Sequence, residues 1–356
     1  RKMTTAISHR GPDDEGQWID EDAGVALGHR RLSILDLSPA GHQPMYSASG
    51  RYVIVFNGEI YNFSEVRKEL ESLSARQWRG HSDTEVVLAA IEQWGLEDAL
   101  RRFVGMFAMA ILDRKERLLR LVRDRLGEKP LYYGWMNGVF LFGSELKALR
   151  AHPAWRGEID RDALTLLMRH NYIPAPYSIY KGIYKLLPGT ILTVIEGRPL
   201  VPAPYWQFHE AAKAGAANRF RGSEKEAIDK LDGMLRDTIA RQMVADVPLG
   251  AFLSGGIDSS TVVALMQAQS PRPVKTFTIG FNEAGYNEAA DAKLVAKHLG
   301  TEHTELYVTY AEAMKVIPRL PTLYDEPFSD SSQIPTFIVS GLARRHVTVS
   351  LSGDAG

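Results

Sequence analysis

Seven residues, Ser254-Gly255-Gly256-Ile257-Asp258-Ser259-Ser260, separate the apolar run GAFL from the helix-patterned run TVVALMQAQ. Their chemistry is that of an oxyanion cradle. Two adjacent glycines let the backbone turn tightly and approach a ligand, while hydroxyls and the N–H groups that open a helix can surround an oxyanion with the helix dipole behind them. Phosphate is the natural target. The lysine of a GxxxxGK(S/T) loop is missing and no GxGxxG turn occurs, so neither the common mononucleotide loop nor the dinucleotide turn accounts for the stretch. Asp258 would repel a bare phosphate, and a carboxylate there is best explained as a ligand of Mg²⁺ that neutralises the charge. The plain alternative is a capped helix after a glycine turn.

Such a turn needs a strand to deliver it and a helix to receive it. The second half supplies both repeatedly: GAFL, VKTFTIGF, TELYV and HVTVSLSG read as strands, and STVVALMQAQ, NEAADAKLVAKHLG and the segment from Gln333 to Arg345 as helices. Alternation of this kind implies a right-handed α/β parallel sheet, in which ligands collect beyond the C-terminal strand ends. The first half has another rhythm. Short β-branched and aromatic runs such as RYVIVFNGEIYN, FAMAILD, RLLRLVRD, PLYYGW and GVFLFGSE fit antiparallel strands, interrupted by helices at FSEVRKELESL and SDTEVVLAAIEQWG, the second behind a cap at Ser82. This is an α+β domain of sheets covered by helices. HEAAKAGAANRFRGS lacks apolar periodicity, so the division expected is 1–208, a linker at 209–223 and 224–356.

The chain has 356 residues, too many for one ordinary core, 24% charged residues and a net charge of −1. That balance leaves no electrostatic footprint for nucleic acid or an anionic membrane, and small-molecule substrates are expected instead. There is no cysteine, which excludes a disulfide framework, cysteine zinc sites and a thiol nucleophile within these residues. Nor does any apolar run approach the roughly 20 residues that span a bilayer, so a cytoplasmic setting is expected. Beginning at Arg1 with no signal-peptide pattern and ending on SLSGDAG, the chain reads as a fragment.

Five further motifs stand in the first half: HRGPDDEG from His9, HRRLSILD from His29, FNGEIYN from Phe56, HSDTEV from His81 and RDRLGEKPLYY from Arg123. In that order they resemble the glutaminase domain of glutamine-hydrolysing asparagine synthetases, and SGGIDSS resembles the pyrophosphate loop of the ATP pyrophosphatases, which adenylate a substrate by cleaving ATP between its α and β phosphates. The resemblance spans nearly the whole chain. It implies an α+β N-terminal-nucleophile sandwich domain followed by an α/β parallel-sheet ATP-pyrophosphatase domain, with ATP, Mg²⁺, glutamine and an aspartate or other carboxylate acceptor as partners, and a homodimer.

Residue by residue, the resemblance implies that Arg31 holds the glutamine carboxylate in a bidentate fork, that Glu59 and Asp83 hold its ammonium, and that Leu32 lines the same pocket. Asn57 and Gly58 match an oxyanion hole; alone, Asn-Gly would read as a hairpin turn. The family nucleophile is a cysteine at the mature N-terminus, upstream of the residues present, so glutamine hydrolysis is not expected of this chain as it stands. In the second half Ser254, Gly255, Gly256, Asp258, Ser259 and Ser260 match the pyrophosphate loop, with Asp258 on the metal, and Leu253 and Ile279 match positions around adenine. Ser352 and Gly353 match a second loop, and Asp354 an acidic position tied to acyl-adenylate formation. Many relatives continue SGDGGDE or SGEGSDE, whereas here Ala355 follows and the chain stops at Gly356, so adenylation by this stretch alone is not expected either.

The implied chemistry converts a carboxylate to an acyl-AMP, which ammonia attacks after passing through a tunnel that keeps it unprotonated. Ser144, Glu145 and Lys147 lie on the path implied. The stretch from Asp325 to Ser332, in LYDEPFSDSSQIPTFIVS, resembles the acceptor-side segment of a bacterial subgroup, some of which amidate surface sugars. Three readings stand: a glutamine-dependent asparagine synthetase, an ammonia-dependent acyl-adenylating ligase related to β-lactam synthetase, and a non-catalytic relative. Ser144 and Lys147 also satisfy SxxK, but the SDN and KTG partners of penicillin-recognising enzymes are missing.

Overall fold

The structure, a computed structural model, describes residues 1–281 and 287–354. Ala355, where the second loop leaves the family pattern, lies outside them. The chain divides into two units: Arg1–Arg219 with Asp325–Phe328, and Phe220–Tyr324 with Ser329–Gly356.

The first unit is built from antiparallel strands. Six form one sheet in the order Ala203–Pro204, Thr190–Val194, Leu118–Arg123, Gly105–Asp113, Tyr52–Ile60, Met45–Tyr46. Its central pair runs in register from Tyr52 opposite Asp113 to Ile60 opposite Gly105. Because side chains alternate between faces, Ile54 and Phe56 enter one core with Val66 and Leu70 of helix Phe63–Leu73 and Val87 and Ile91 of helix Asp83–Trp94. Val53 and Val55 enter a second core with Leu27, Leu131 and Tyr133, from the hairpin Asp14–Asp20/Val25–Arg31 and the sheet Val139–Gly143, Tyr132–Met136, Ile183–Lys185. Helices Lys2–Ala6 and Leu146–Arg150 cover that layer, with Leu146 and Leu149 in its outer core. A strand buried on both faces must read as an unbroken apolar run, as YVIVF does. The result is helix, sheet, sheet, helix, the sandwich expected.

Two local readings change. Asn57 and Gly58 do not turn a hairpin but sit inside the nine-residue strand Tyr52–Ile60. A Cβ at Gly58 would lie 2.2 Å from the Met106 carbonyl oxygen, so glycine is there for close strand approach. In the stretch expected to be a linker, Phe208–Ala217 forms a helix, fully solvent-facing, because alanine-rich sequence has high helix propensity even without an apolar stripe.

The second unit holds a four-stranded parallel sheet ordered Glu302–Val308, Lys275–Phe281, Leu249–Phe252, Val349–Leu351. Successive strands step outward from Leu249–Phe252 in one direction, and the last returns to its other side. The switch point therefore lies between Leu249–Phe252 and Val349–Leu351, which is where open α/β sheets place their ligands. Helix Ile257–Gln269 and helix Ala289–Leu299 pack Val263, Met266, Ala292 and Ala296 on Ala251 and Leu253. Helix Glu224–Gln242 opens with a Ser223/Glu226 capping box. No helix among the described residues is long and apolar enough to cross a membrane.

Candidate functional site

In the first unit a cavity of about 820 Å³ is lined by Arg31, Leu32, Asn57, Gly58, Glu59 and Asp83, so six residues singled out from three sequence motifs converge on one space. Asn57, Gly58 and Glu59 come from the central strand, and Asp83 from the helix behind the Ser82 cap, whose hydroxyl accepts from Glu85 N. The Asp83 Oδ2 accepts from Ile60 N at 3.0 Å, tying the helix start to the strand end.

Burial pushes the Glu59 carboxyl up to about 7, with the Asp83 charge adding to the shift and the Lys129 ammonium opposing it. Burial also raises Asp83, to about 6, against hydrogen bonds from Ile60 and Thr84. The pocket thus holds two carboxylates that resist ionising together, and a cation placed between them would relieve both. Arg31 is engaged elsewhere as well. Its Nη1 donates to Ser38 O at 3.3 Å and its Nη2 to Leu35 O at 3.1 Å and Asp36 O at 2.5 Å. Gly41 admits this guanidinium, since a Cβ there would sit 1.8 Å from Arg31 Nη2.

Four residues were not singled out from sequence: His29 and Lys129, which line the cavity, and Asp36 and Asp124, which brace its walls. Asp36, fully buried, accepts from Ser38 N and Oγ and from His81 N at 2.8 Å, joining the HRRLSILD and HSDTEV segments. Asp124, also fully buried, accepts backbone N–H groups from Phe107, Leu126, Gly127, Glu128 and Lys129, and so presents Lys129 to the cavity. An aspartate followed three residues later by glycine in RDRLGEKP was the available signal. His29 contacts Phe56 O through Nε2 at 3.0 Å, while its buried Nδ1 has no protein partner and burial pulls the ring down to about 4.

In the second unit the loop after Phe252 folds on its own hydroxyls. Ser254 Oγ and Ser259 Oγ lie 2.8 Å apart, Ser254 N donates to Ser259 Oγ at 3.2 Å, and Gly256 N donates to Ser254 Oγ at 3.3 Å. Gly255 adopts φ +83°, open to glycine, and a Cβ on it would meet Ala292 N at 2.7 Å. Gly353 is equally constrained: its Cβ would lie 2.7 Å from Ser259 N and 3.1 Å from Asp258 Cβ. The Ser352–Asp354 loop is therefore seated on the Ser254–Ser260 turn at the switch point. Asp258, in the first turn of its helix, and Asp354 are both exposed, and Ser352 Oγ donates to Asp354 Oδ2 at 3.1 Å. Leu253 is core, its N–H donating to Phe277 O at 3.0 Å, and Ile279 is half-buried on the adjoining strand. Ser260 stands apart from the other loop hydroxyls, lining a groove with Thr261, Leu294 and His298, its Oγ without a protein partner.

Residues 1–206 match the family model described as glutamine amidotransferase domain, and residues 230–356 that of asparagine synthase. A putative asparagine synthetase [glutamine-hydrolyzing] 2 of Methanocaldococcus jannaschii is 38% identical over 375 residues, covering 100% of this chain and 70% of that protein. The chain belongs to the glutamine-hydrolysing asparagine synthetase family. Asparagine synthetase [glutamine-hydrolyzing] 1 of Bacillus subtilis is 35% identical over 99% of the chain, which spans only 54% of that relative's length. Amidase chry2 of Gibberella zeae is 32% identical over 83% of the chain and 45% of its own length. The cavity with Asn57 falls in the part matched to the glutamine amidotransferase domain and the Ser254–Ser260 turn in the part matched to asparagine synthase.

Proposed function

We propose that the protein carrying this chain makes asparagine in the cytoplasm, adenylating the aspartate side-chain carboxylate with ATP and amidating it with ammonia taken from glutamine. The observation that carries the reading is the seating of the Ser352–Asp354 loop on the SGGIDSS turn at the switch point of the parallel sheet. In the first unit Arg31 takes the glutamine carboxylate, Glu59 and Asp83 its ammonium, and the Asn57 amide with the Gly58 N–H the oxyanion of the tetrahedral intermediate.

In the second unit Ser254, Gly255, Gly256 and Ser259 surround the pyrophosphate, while Ser352 and Gly353 close the other side. Leu253 and Ile279 border the adenine. The donor set suits Mg²⁺: two exposed carboxylates on touching loops, few enough that substrate phosphates complete the coordination. Asp258 would hold it with Asp354, and the ion would neutralise charge on the departing pyrophosphate.

Glutamine binding should then release protons. The folded pocket holds protons that free carboxylates, with ordinary values of 4.5 and 3.8, would have lost. Stability contributed by these raised groups is present in acid and is lost as pH rises toward 7, and the ligand ammonium restores it. Affinity for glutamine should therefore rise roughly tenfold between pH 6 and 8. Titration calorimetry of this chain at pH 6.5 in buffers of different ionisation enthalpy measures the protons released, and a count of zero would place the ammonium elsewhere.

A second acceptor is favoured by one feature. The Asp325 and Glu326 carboxylates are paired with Lys147 and Lys185 and so offer no charge to an amino-acid ammonium. An acceptor without an ammonium, such as a uronic-acid sugar, fits that arrangement. Pyrophosphate release assayed with ATP and Mg²⁺ decides: dependence on aspartate, with asparagine formed from glutamine, supports the first acceptor, and indifference to aspartate with a response to the sugar acid rejects it.

A further inference from the structure

Asp325 and Glu326, far along the sequence, are counted with the first unit and are spent inside it. Glu326 accepts from Ile179 N at 2.6 Å and pairs with Lys185 at 2.5 Å, and Tyr132 Oη donates to it at 3.4 Å. Asp325 pairs with Lys147 at 3.2 Å. Both acid side chains are under one-tenth exposed, 8% and 9%, so salt and water screen these pairs far less than surface pairs.

The same Lys147 ammonium lies 2.7 Å from Glu145, whose carboxylate is also held by Arg10 at 2.9 Å and His9 at 3.2 Å. Burial pushes that carboxyl up, but hydrogen bonds from Lys147 and Arg10 win and hold it below the usual range. Glu145 and Ser144 form a two-residue bend between strand Val139–Gly143 and helix Leu146–Arg150, and no side chain caps the helix start. Its backbone is tied to the helix by Ala148 N donating to Glu145 O at 3.1 Å. The Glu145 side chain is held by the ion-pair cluster. Ser144 Oγ, one residue away and lining the cavity, accepts from Asn57 Nδ2 at 3.4 Å, which occupies one amide N–H and leaves the other for the oxyanion.

We propose that Asp325 is a positioning residue of the glutamine pocket, holding Ser144 against the Asn57 amide through Lys147 and Glu145. This rests on the reading of Asn57 as an oxyanion donor. Removing the Asp325 charge leaves Lys147 with one buried partner, so Glu145 is pulled from its place and the Ser144 bend relaxes. Transition-state stabilisation depends on a preorganised donor, so the loss falls on kcat rather than on glutamine binding.

The test is steady-state glutamine hydrolysis by the parent protein. Asp325→Asn should lower kcat roughly 3- to 10-fold with KM nearly unchanged, Asp325→Glu should restore most of it, and Ser144→Ala should lower kcat by a similar factor. Combining Asp325→Asn with Ser144→Ala should be no worse than Ser144→Ala alone, because both cut one path. Lys147→Met cuts it from the other side and serves should Asp325→Asn fail to fold. Multiplicative losses in the double variant, a change confined to KM, or an unaffected kcat would each overturn the proposal while leaving the glutamine reading in place. A wild-type protein that hydrolyses no glutamine removes that reading and this proposal together.

Discussion

Asp258→Asn is expected to lower pyrophosphate release from ATP by at least about a hundredfold while leaving glutamine hydrolysis largely intact. The substitution keeps size and shape and removes one charge. A hundredfold loss corresponds to about 2.7 kcal/mol of transition-state stabilisation. The competing effect, loss of a negative charge from the first turn of helix Ile257–Gln269, is worth only about 0.3–1 kcal/mol of folding stability at an exposed position. Unfolding therefore cannot imitate the catalytic loss, and a melting curve of the variant shows as much. If glutamine hydrolysis falls in proportion, the division of labour between the two units is wrong. If cleavage occurs at the terminal phosphate instead, the turn grips something other than pyrophosphate.

How much of this was legible in sequence depends on the range of the interaction that fixes each residue. Strands and helices of both halves follow from local periodicity: YVIVF is apolar throughout because both faces are buried, and Ser82 caps its helix through a bond three residues away. The SGGIDSS turn was legible because its glycine, hydroxyl and acid chemistry is contiguous. The linker helix was missed for the opposite reason, since Phe208–Ala217 forms on propensity alone with no apolar face to reveal it. Asp124 accepts mostly from the turn that follows it, so its Asp-to-Gly spacing was a local signal left unread, whereas Asp36 also accepts from His81 N in another segment, which nothing in an isolated aspartate states. The Asp325–Lys147 pair, 178 positions apart in the chain, belongs to that class.

For the other site, Asn57→Ala should reduce kcat for glutamine hydrolysis in the parent protein by about 100- to 1,000-fold, the cost of removing one preorganised oxyanion donor. Ammonia-dependent pyrophosphate release by the same sample should persist, because Asn57 belongs to the first unit and the phosphate turn to the second. Folding is not the cause of such a loss. The side chain is half-buried and makes one long bond to Ser144 at 3.4 Å, and strand propensity differences span only about 1 kcal/mol. Asn57→Asp separates geometry from charge: it retains shape but sets a carboxylate where negative charge develops, so it should be at least as damaging as alanine. A loss confined to KM in both variants would make Asn57 a substrate-binding residue and leave the oxyanion to other donors.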